Sequence, residues 1–229
     1  MKKYAVIVAG GSGSRMGTDI PKQFLLLQNK PLLWHTLTAF LGSFDDMSII
    51  LVLPALYMEM GKTIVDSLAD SQRIQLTTGG STRFQSVKNG LKLVGKNAVV
   101  FVHDGVRCLV SPALIKRCYA ATLEKGNAVP AVKSADSIRI ETADGNNKII
   151  DRNAIRIIQT PQTFLANLLL PAFEQEEDEL FTDEASVVER TGISINLVEG
   201  EASNIKITQA TDLLLAENIL AGNSLQYKP

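Results

Sequence analysis

Cysteine and histidine are scarce in this chain. Cys108 and Cys118 are its two cysteines, and their spacing matches no metal-ligand pattern. A disulfide-held scaffold and a structural zinc site are poor readings on that count, and a reducing cytoplasmic setting is expected. The two histidines, His35 and His103, form no ligand cluster, and no Ser-His-Asp order accompanies them. Nothing visible requires covalent catalysis, and His103 reads as a packed or hydrogen-bonded histidine rather than a base. An excess of one charge is also lacking, since 23 Lys+Arg face 24 Asp+Glu for a net charge of −1. That balance argues against nucleic acid or an anionic membrane as a partner, but leaves room for a local basic cluster around a small anion. Long apolar runs are missing too. The first run ends at Ala9, before Gly10-Gly11, and is too short for a signal-peptide core or a membrane span. A soluble, unprocessed protein is the expectation.

What the sequence does contain is ordinary globular material: 229 residues, 45% hydrophobic and 21% charged, without repeats or a low-complexity linker. Residues 1–229 are read as one domain. Short β-branched runs (Tyr4 to Ala9, Ser48 to Leu53, Ile74 to Thr77, Ala98 to Val102) alternate with helix-like segments at Pro31 to Leu41, Tyr57 to Leu68 and Arg83 to Leu93. Pro31 suits a helix's first position. The alternation predicts an α/β fold, a mostly parallel sheet with helices on both faces. Sites in such sheets form beyond the strands' C-terminal ends.

The middle of the chain breaks this rhythm. Ser137 to Glu141 alternates, Asp144-Gly145-Asn146-Asn147 turns, and Lys148 to Ile150 returns, which predicts a projecting hairpin. One hairpin is marginal alone in water, so it packs on a partner subunit or on its own chain's body. The acidic run Glu174 to Glu179 reads as a solvated helix face, with Thr182 a candidate cap of the next helix. Ser194 to Val198 and Asn204 to Thr208 read as further strands, and Thr211 to Leu220 as a closing amphipathic helix.

Two constellations stand directly after strands. Ala9-Gly10-Gly11-Ser12-Gly13-Ser14-Arg15-Met16-Gly17 lets backbone N–H groups approach an anion. Met16 stands where a dinucleotide fingerprint needs glycine, and no Gly-Lys-Ser/Thr tripeptide is present. Arg15 and Lys22 instead add two cations, an arrangement suited to a nucleoside triphosphate. The plainer reading is a loop with solvated charges. His103-Asp104-Gly105-Val106-Arg107 closes the strongest apolar strand. Asp104 can hold Mg2+ together with phosphate oxygens, or simply cap the next turn; Arg107 offers a further anion contact. Gly79-Gly80-Ser81-Thr82 can recognise a polar base edge or cap a helix. Arg152 and Lys206, taken alone, read as surface charges.

In order, these segments resemble the 2-C-methyl-D-erythritol 4-phosphate cytidylyltransferases. The match runs through Ala9 to Met16, Pro21-Lys22-Gln23, Gly79-Gly80, His103 to Arg107, Asp151-Arg152-Asn153, Thr160-Pro161-Gln162, Thr182 to Ser186, and Val198-Glu199-Gly200 with Asn204-Ile205-Lys206. The resemblance implies a Rossmann-like nucleotide-binding sheet and a homodimer hooked together by a β-arm, here at about 134–155. It implies that Arg15 and Lys22 hold the triphosphate of CTP. Gly10, Gly11, Ser12, Gly13, Gly80, Ser81, Ser86 and Gly105 would surround the nucleotide, and Asp104 would bind Mg2+ or another divalent cation. Arg107, Arg152, Thr160, Thr182 and Lys206 would contact the sugar phosphate, with Arg152 reaching into the neighbouring subunit. Two positions depart from the family pattern: Cys108 stands where members commonly have proline, and Ser203 where they often have aspartate. The rival reading is a cytidylyltransferase of ribitol 5-phosphate on the same plan; a regulator that has lost catalysis is a more distant one.

Overall fold

The computed structural model describes residues 1–10 and 20–222. The first half alternates strand and helix. It runs β1 (Lys2–Val8), the short β2 (Leu26–Leu27) and β3 (Lys30–Pro31), α1 (Leu32–Leu41), β4 (Met47–Leu53), α2 (Met58–Asp66), β5 (Ile74–Thr78), α3 (Arg83–Leu91) and β6 (Ala98–Asp104). The second half continues with α4 (Pro112–Lys125), β7 (Asn127–Lys133), β8 (Ile138–Glu141), β9 (Asn147–Ile150), β10 (Arg156–Ile158) and β11 (Gln162–Leu165). It closes with α5 (Ala166–Ala172), α6 (Glu184–Glu189), β12 (Leu197–Glu199) and α7 (Ala210–Leu220).

Among the described residues the main sheet has eight strands. β5, β4, β1 and β6 lie side by side in parallel, as the sequence predicts. β11 then runs antiparallel between β6 and β7, while β10 and β12 also pair with β7. Both faces of the sheet are covered, and the strand residues show it. In β1, Ala5 and Ile7 enter one core cluster and Val6 and Val8 the other; in β6, Val99 and Phe101 oppose Val100 and Val102. Successive strand side chains point to opposite faces, so a continuous apolar run is what a doubly covered strand requires.

Several expectations change. Pro31 ends β3 and precedes α1 rather than opening it. α4 and β7 fall where no element was expected, although Ser111 caps α4 through Leu114 N and Gly126 ends it at φ 86°. The acidic run is solvated but not helical: α5 stops at Ala172, and Phe173 turns inward to stack on Phe84 at 4.9 Å. Asp183, not Thr182, caps α6, because its carboxylate accepts from Ser186 N while Ser186 Oγ accepts from Asp183 N. Residues 204–208 form no strand. They are fixed by single bonds instead, among them Asn204 Nδ2 to Thr160 O and Ile207 N to Val106 O. The hairpin is present, with Ile138 opposite Ile150, and among the described residues its two strands pair only with each other.

Candidate active site

β1, β5 and β6 end at one rim of the sheet, and a cleft of about 270 Å³ opens there. Gly10, Lys22, Gly80, Ser81, Ser86, Asp104 and Lys206 all line it, together with Gln23, Thr82 and Arg83. Gly11, Ser12, Gly13 and Arg15 lie outside the described residues. Lys22 belongs to a short turn that the neighbouring Gln23 fixes, its buried amide donating to Ala9 O at 2.8 Å. The base of the turn is thereby tied to the end of β1.

The opposite wall is the start of α3. Thr82 Oγ1 accepts from Gln85 N, and Ser86 Oγ accepts from Gly80 N while donating to Thr82 O. Gly80 has a steric reason to be glycine, since a Cβ there would sit 2.4 Å from Gln85 Cβ. Ser81 N and Oγ both donate to Gln85 Oε1, and Gln85 Nε2 donates to Glu177 Oε2 at 3.0 Å. The acidic segment therefore braces the glycine turn from outside.

Asp104 is the electrostatic centre. Lys206 Nζ lies 2.9 Å from Oδ2, Arg83 Nη2 3.3 Å from Oδ1 and Arg107 Nε 3.7 Å from Oδ2. Burial alone would push this carboxyl up, but Arg83, Lys206 and Arg107 hold it well below the usual carboxylate range. Positive groups outnumber it at the rim, so an added anion finds a complementary field. Arg107 also donates to Asn204 O at 2.9 Å and lies behind the cleft.

Thr160 connects β11 to this centre. The antiparallel pairing places Gln162 beside Val102, which brings Thr160 to the end of β6. Its hydroxyl accepts from Asp104 N at 3.1 Å and lies 2.9 Å from His103 Nδ1. His103 Nε2 lies 3.1 Å from Arg107 O, which fits the neutral ring donating from Nε2. Burial pushes the His103 pKa down to about 3. The histidine is thus a packed strut, in line with the sequence reading. Gly105 also turns inward: its N–H donates to Val8 O, and its carbonyl accepts from Thr36 Oγ1. Thr160 and Gly105 support the rim from behind rather than lining the cleft.

Arg152 and Thr182 are exposed and not part of the cleft lining. Arg152 stands at the hairpin's foot, donating to Ala135 O. Ser203 lines a separate cavity with Trp34 and His35, so no contact with Asp104 comes from that position. Cys108 is buried and its thiol is pushed up to about 12 by desolvation, so the departure from proline leaves no reactive thiolate. Among the described residues no group of three or more His, Cys, Asp or Glu could hold a metal ion by itself.

The sequence reading gave no role to Arg83 or Glu184. Glu184 Oε1 and Oε2 accept from Arg83 Nη1 and Nη2 at 2.5 and 3.1 Å, and burial raises the Glu184 pKa against the opposing guanidinium. The available signals were Arg83 directly after a helix cap and Glu184 within the matched Thr182 to Ser186 segment. Both also read as ordinary first-turn residues.

A mixed α/β sheet with a cation-rich cleft at its C-terminal rim suits a protein that binds a phosphorylated ligand, and the family match makes it a nucleotidyltransferase. The family model described as "2-C-methyl-D-erythritol 4-phosphate cytidylyltransferase" matches residues 4–222. The chain belongs to this family of cytidylyltransferases. A protein of that name from Bacteroides fragilis is 43% identical over 220 residues, covering 96% of this chain and 100% of its own. One from Azobacteroides pseudotrichonymphae is 44% identical over 224 residues, covering 96% and 99%. Among solved structures, the 4-diphosphocytidyl-2C-methyl-D-erythritol synthase of Anaerococcus prevotii superposes with a TM-score of 0.83 at 28% identity, covering 96% of this chain and 98% of its own. The Thermus thermophilus 2-C-methyl-D-erythritol 4-phosphate cytidylyltransferase gives 0.73 at 29% identity, covering 94% and 98%. These matches favour methylerythritol phosphate over ribitol phosphate as the acceptor.

Proposed function

We propose that this chain transfers CMP from CTP to 2-C-methyl-D-erythritol 4-phosphate, a step of non-mevalonate isoprenoid synthesis, in the cleft around Asp104. The acceptor's phosphate oxygen forms a new bond to the α-phosphorus as the bond to the β-phosphate oxygen breaks. The products are 4-diphosphocytidyl-2-C-methyl-D-erythritol and pyrophosphate. An ionised phosphate monoester is already a nucleophile, so no general base is required. The packed, neutral His103 is consistent with that chemistry. Catalysis rests on orientation and on stabilising crowded phosphate charge. The observation that carries this reading is Asp104, ringed by Arg83, Arg107 and Lys206 in a cleft that Lys22 also lines.

In this reading Arg15 and Lys22 hold the triphosphate, and Gly10 to Gly13 with Gly80, Ser81 and Ser86 surround the nucleotide. Lys206 contacts the acceptor phosphate, with Arg107 holding Asp104 from behind and Thr160 and Gly105 shaping the rim. Asp104, expected from the sequence to hold Mg2+ or another divalent cation, has its oxygens on Arg83, Lys206 and Arg107 and is, among the described residues, the single carboxylate of the cleft lining, so the residues present do not by themselves fit a divalent ion.

The hairpin supports a homodimer. Among the described residues β8 and β9 pair only with each other, and Ile140 and Ile149 are exposed, Ile149 at 74%. Arg152, at the hairpin's foot, would serve a second subunit's cleft, close to that subunit's Thr182. A cytoplasmic enzyme is proposed; no helix among the described residues is long and apolar enough to cross a membrane. Pyrophosphate release from CTP with each sugar phosphate tests the acceptor. Turnover is expected with the methylerythritol phosphate, and faster turnover with ribitol 5-phosphate would overturn the assignment.

A further inference from the structure

Lys206 reaches the cleft from a segment that no ladder holds, since residues 200–209 between β12 and α7 belong to no helix or strand. Ile205 and Ile207 pack in one core cluster with Leu32, Val106 and Cys108, which leaves the residue between them to turn to the rim. An ammonium has three donors. This one lies 2.9 Å from Asp104 Oδ2 while its side chain keeps 42% exposure, so it faces the carboxylate and the cleft together. A lysine's four-carbon stem is flexible, so the placing of its base decides what the ammonium can reach.

That placing comes from Gln159 and Asn204. Both are buried, and neither lines the cleft. Gln159 Nε2 donates to Glu201 O at 2.8 Å and to Asn204 O at 3.4 Å, and its Oε1 accepts from Glu201 N at 3.1 Å. Asn204 Nδ2 donates to Thr160 O at 2.8 Å. The fit is close, since a Cβ on Gly200 would sit 2.4 Å from Gln159 Oε1. Downstream, Ile207 N donates to Val106 O at 3.1 Å. Toward the sheet, Thr160 Oγ1 accepts from Asp104 N at 3.1 Å. Gln159-Thr160 is therefore tied to both charged partners, to Asp104 through a hydroxyl and to the Lys206 segment through an amide and a carbonyl. Buried polar groups satisfied in this way specify one geometry.

We infer that Gln159 and Asn204 are positioning residues, whose amides set the 201–204 turn so that Lys206 meets the phosphate of the sugar acceptor. The inference rests on the reading of Lys206 as the acceptor contact.

The test compares full-length wild type with Gln159→Glu, Asn204→Ala and Lys206→Ala, and with each of the first two combined with Lys206→Ala. Pyrophosphate release with either substrate varied gives kcat and both KM values. Gln159→Glu keeps the acceptor for Glu201 N and removes the donor to Glu201 O and Asn204 O. It is expected to raise KM for 2-C-methyl-D-erythritol 4-phosphate and to lower kcat/KM for that substrate about 10- to 100-fold, the scale of a 1 Å misplacement. KM for CTP should move less than about threefold, since no nucleotide contact is removed. Asn204→Ala should show the same split. In the Lys206→Ala background either change should cost less than about twofold more, because it acts through that lysine. A merely structural role would lower the active fraction, so kcat would fall with both KM values unchanged. That result overturns the inference, as do KM values that rise together, wild-type kinetics in both variants, or full additivity with Lys206→Ala. Thermal unfolding identifies a misfolded variant. Should Gln159→Glu misfold, Asn204→Ala, which buries no charge, carries the comparison. Wild-type kinetics in Lys206→Ala defeat the underlying reading. A raised acceptor KM there, with Gln159→Glu and Asn204→Ala unchanged, defeats this inference alone.

Discussion

His103 shows how one residue's surroundings decide its chemistry. A histidine beside a strand-end aspartate is a natural candidate base, yet its ring is fully buried and both nitrogens face internal partners. Its folded pKa, near 3, lies below the unfolded value, so the unfolded chain binds the extra proton. The contribution is complete above about pH 6.5 and is lost as pH falls toward the folded value. Between pH 7 and pH 5 this one group is expected to cost about 2 kcal/mol of unfolding free energy. Urea unfolding at the two pH values should show that loss in wild type and a smaller one in His103→Asn. Equal losses would place the titration elsewhere. The bland fate of His103 was legible, since a lone histidine at the end of an apolar strand is more often packed than catalytic. Arg83 and Glu184 were not, because their meaning lies in a pair 101 positions apart in sequence.

At the scale of elements, the parallel half of the sheet was readable because buried strands leave apolar runs bounded by turn residues. β11 escaped notice. Gln162-Thr163-Phe164-Leu165 is short and half polar, and Gln162 is satisfied by the distant Asp183 and Ala185 rather than by water. The 204–208 segment misled in the opposite way: it alternates like a strand, but buried Asn204 ties it to Thr160 without a ladder. Gln162 joins α6 to β11, and Gln162→Leu would strand Asp183 Oδ2 and Ala185 N without their partner. A loss of about 1–3 kcal/mol per abandoned buried group is expected. Chemical denaturation measures it, and a change below about 0.5 kcal/mol would show that α6 is anchored by other means.

For the whole molecule, a net charge of −1 conceals a separation of charge. Cations gather at the sheet's rim, while Glu174, Glu176, Glu177 and Glu179 lie exposed in the segment before α6. The balance disfavours a large polyanion and leaves the rim open to a small one. The hairpin was legible from its turn residues, but what packs against it was not, because a packing partner leaves no local pattern. If Arg152 acts across a dimer, mixing Arg152→Ala with Lys22→Ala subunits restores part of the activity. No recovery in verified heterodimers would assign a site made within one chain.

The central claim is that this cleft performs cytidylyl transfer through preorganised charge. Its most direct test is steady-state pyrophosphate release from CTP and 2-C-methyl-D-erythritol 4-phosphate by wild type and Lys22→Ala. The account predicts a kcat about 100- to 1,000-fold lower in the variant with the thermal midpoint unchanged. Wild-type turnover in a folded Lys22→Ala protein would contradict it.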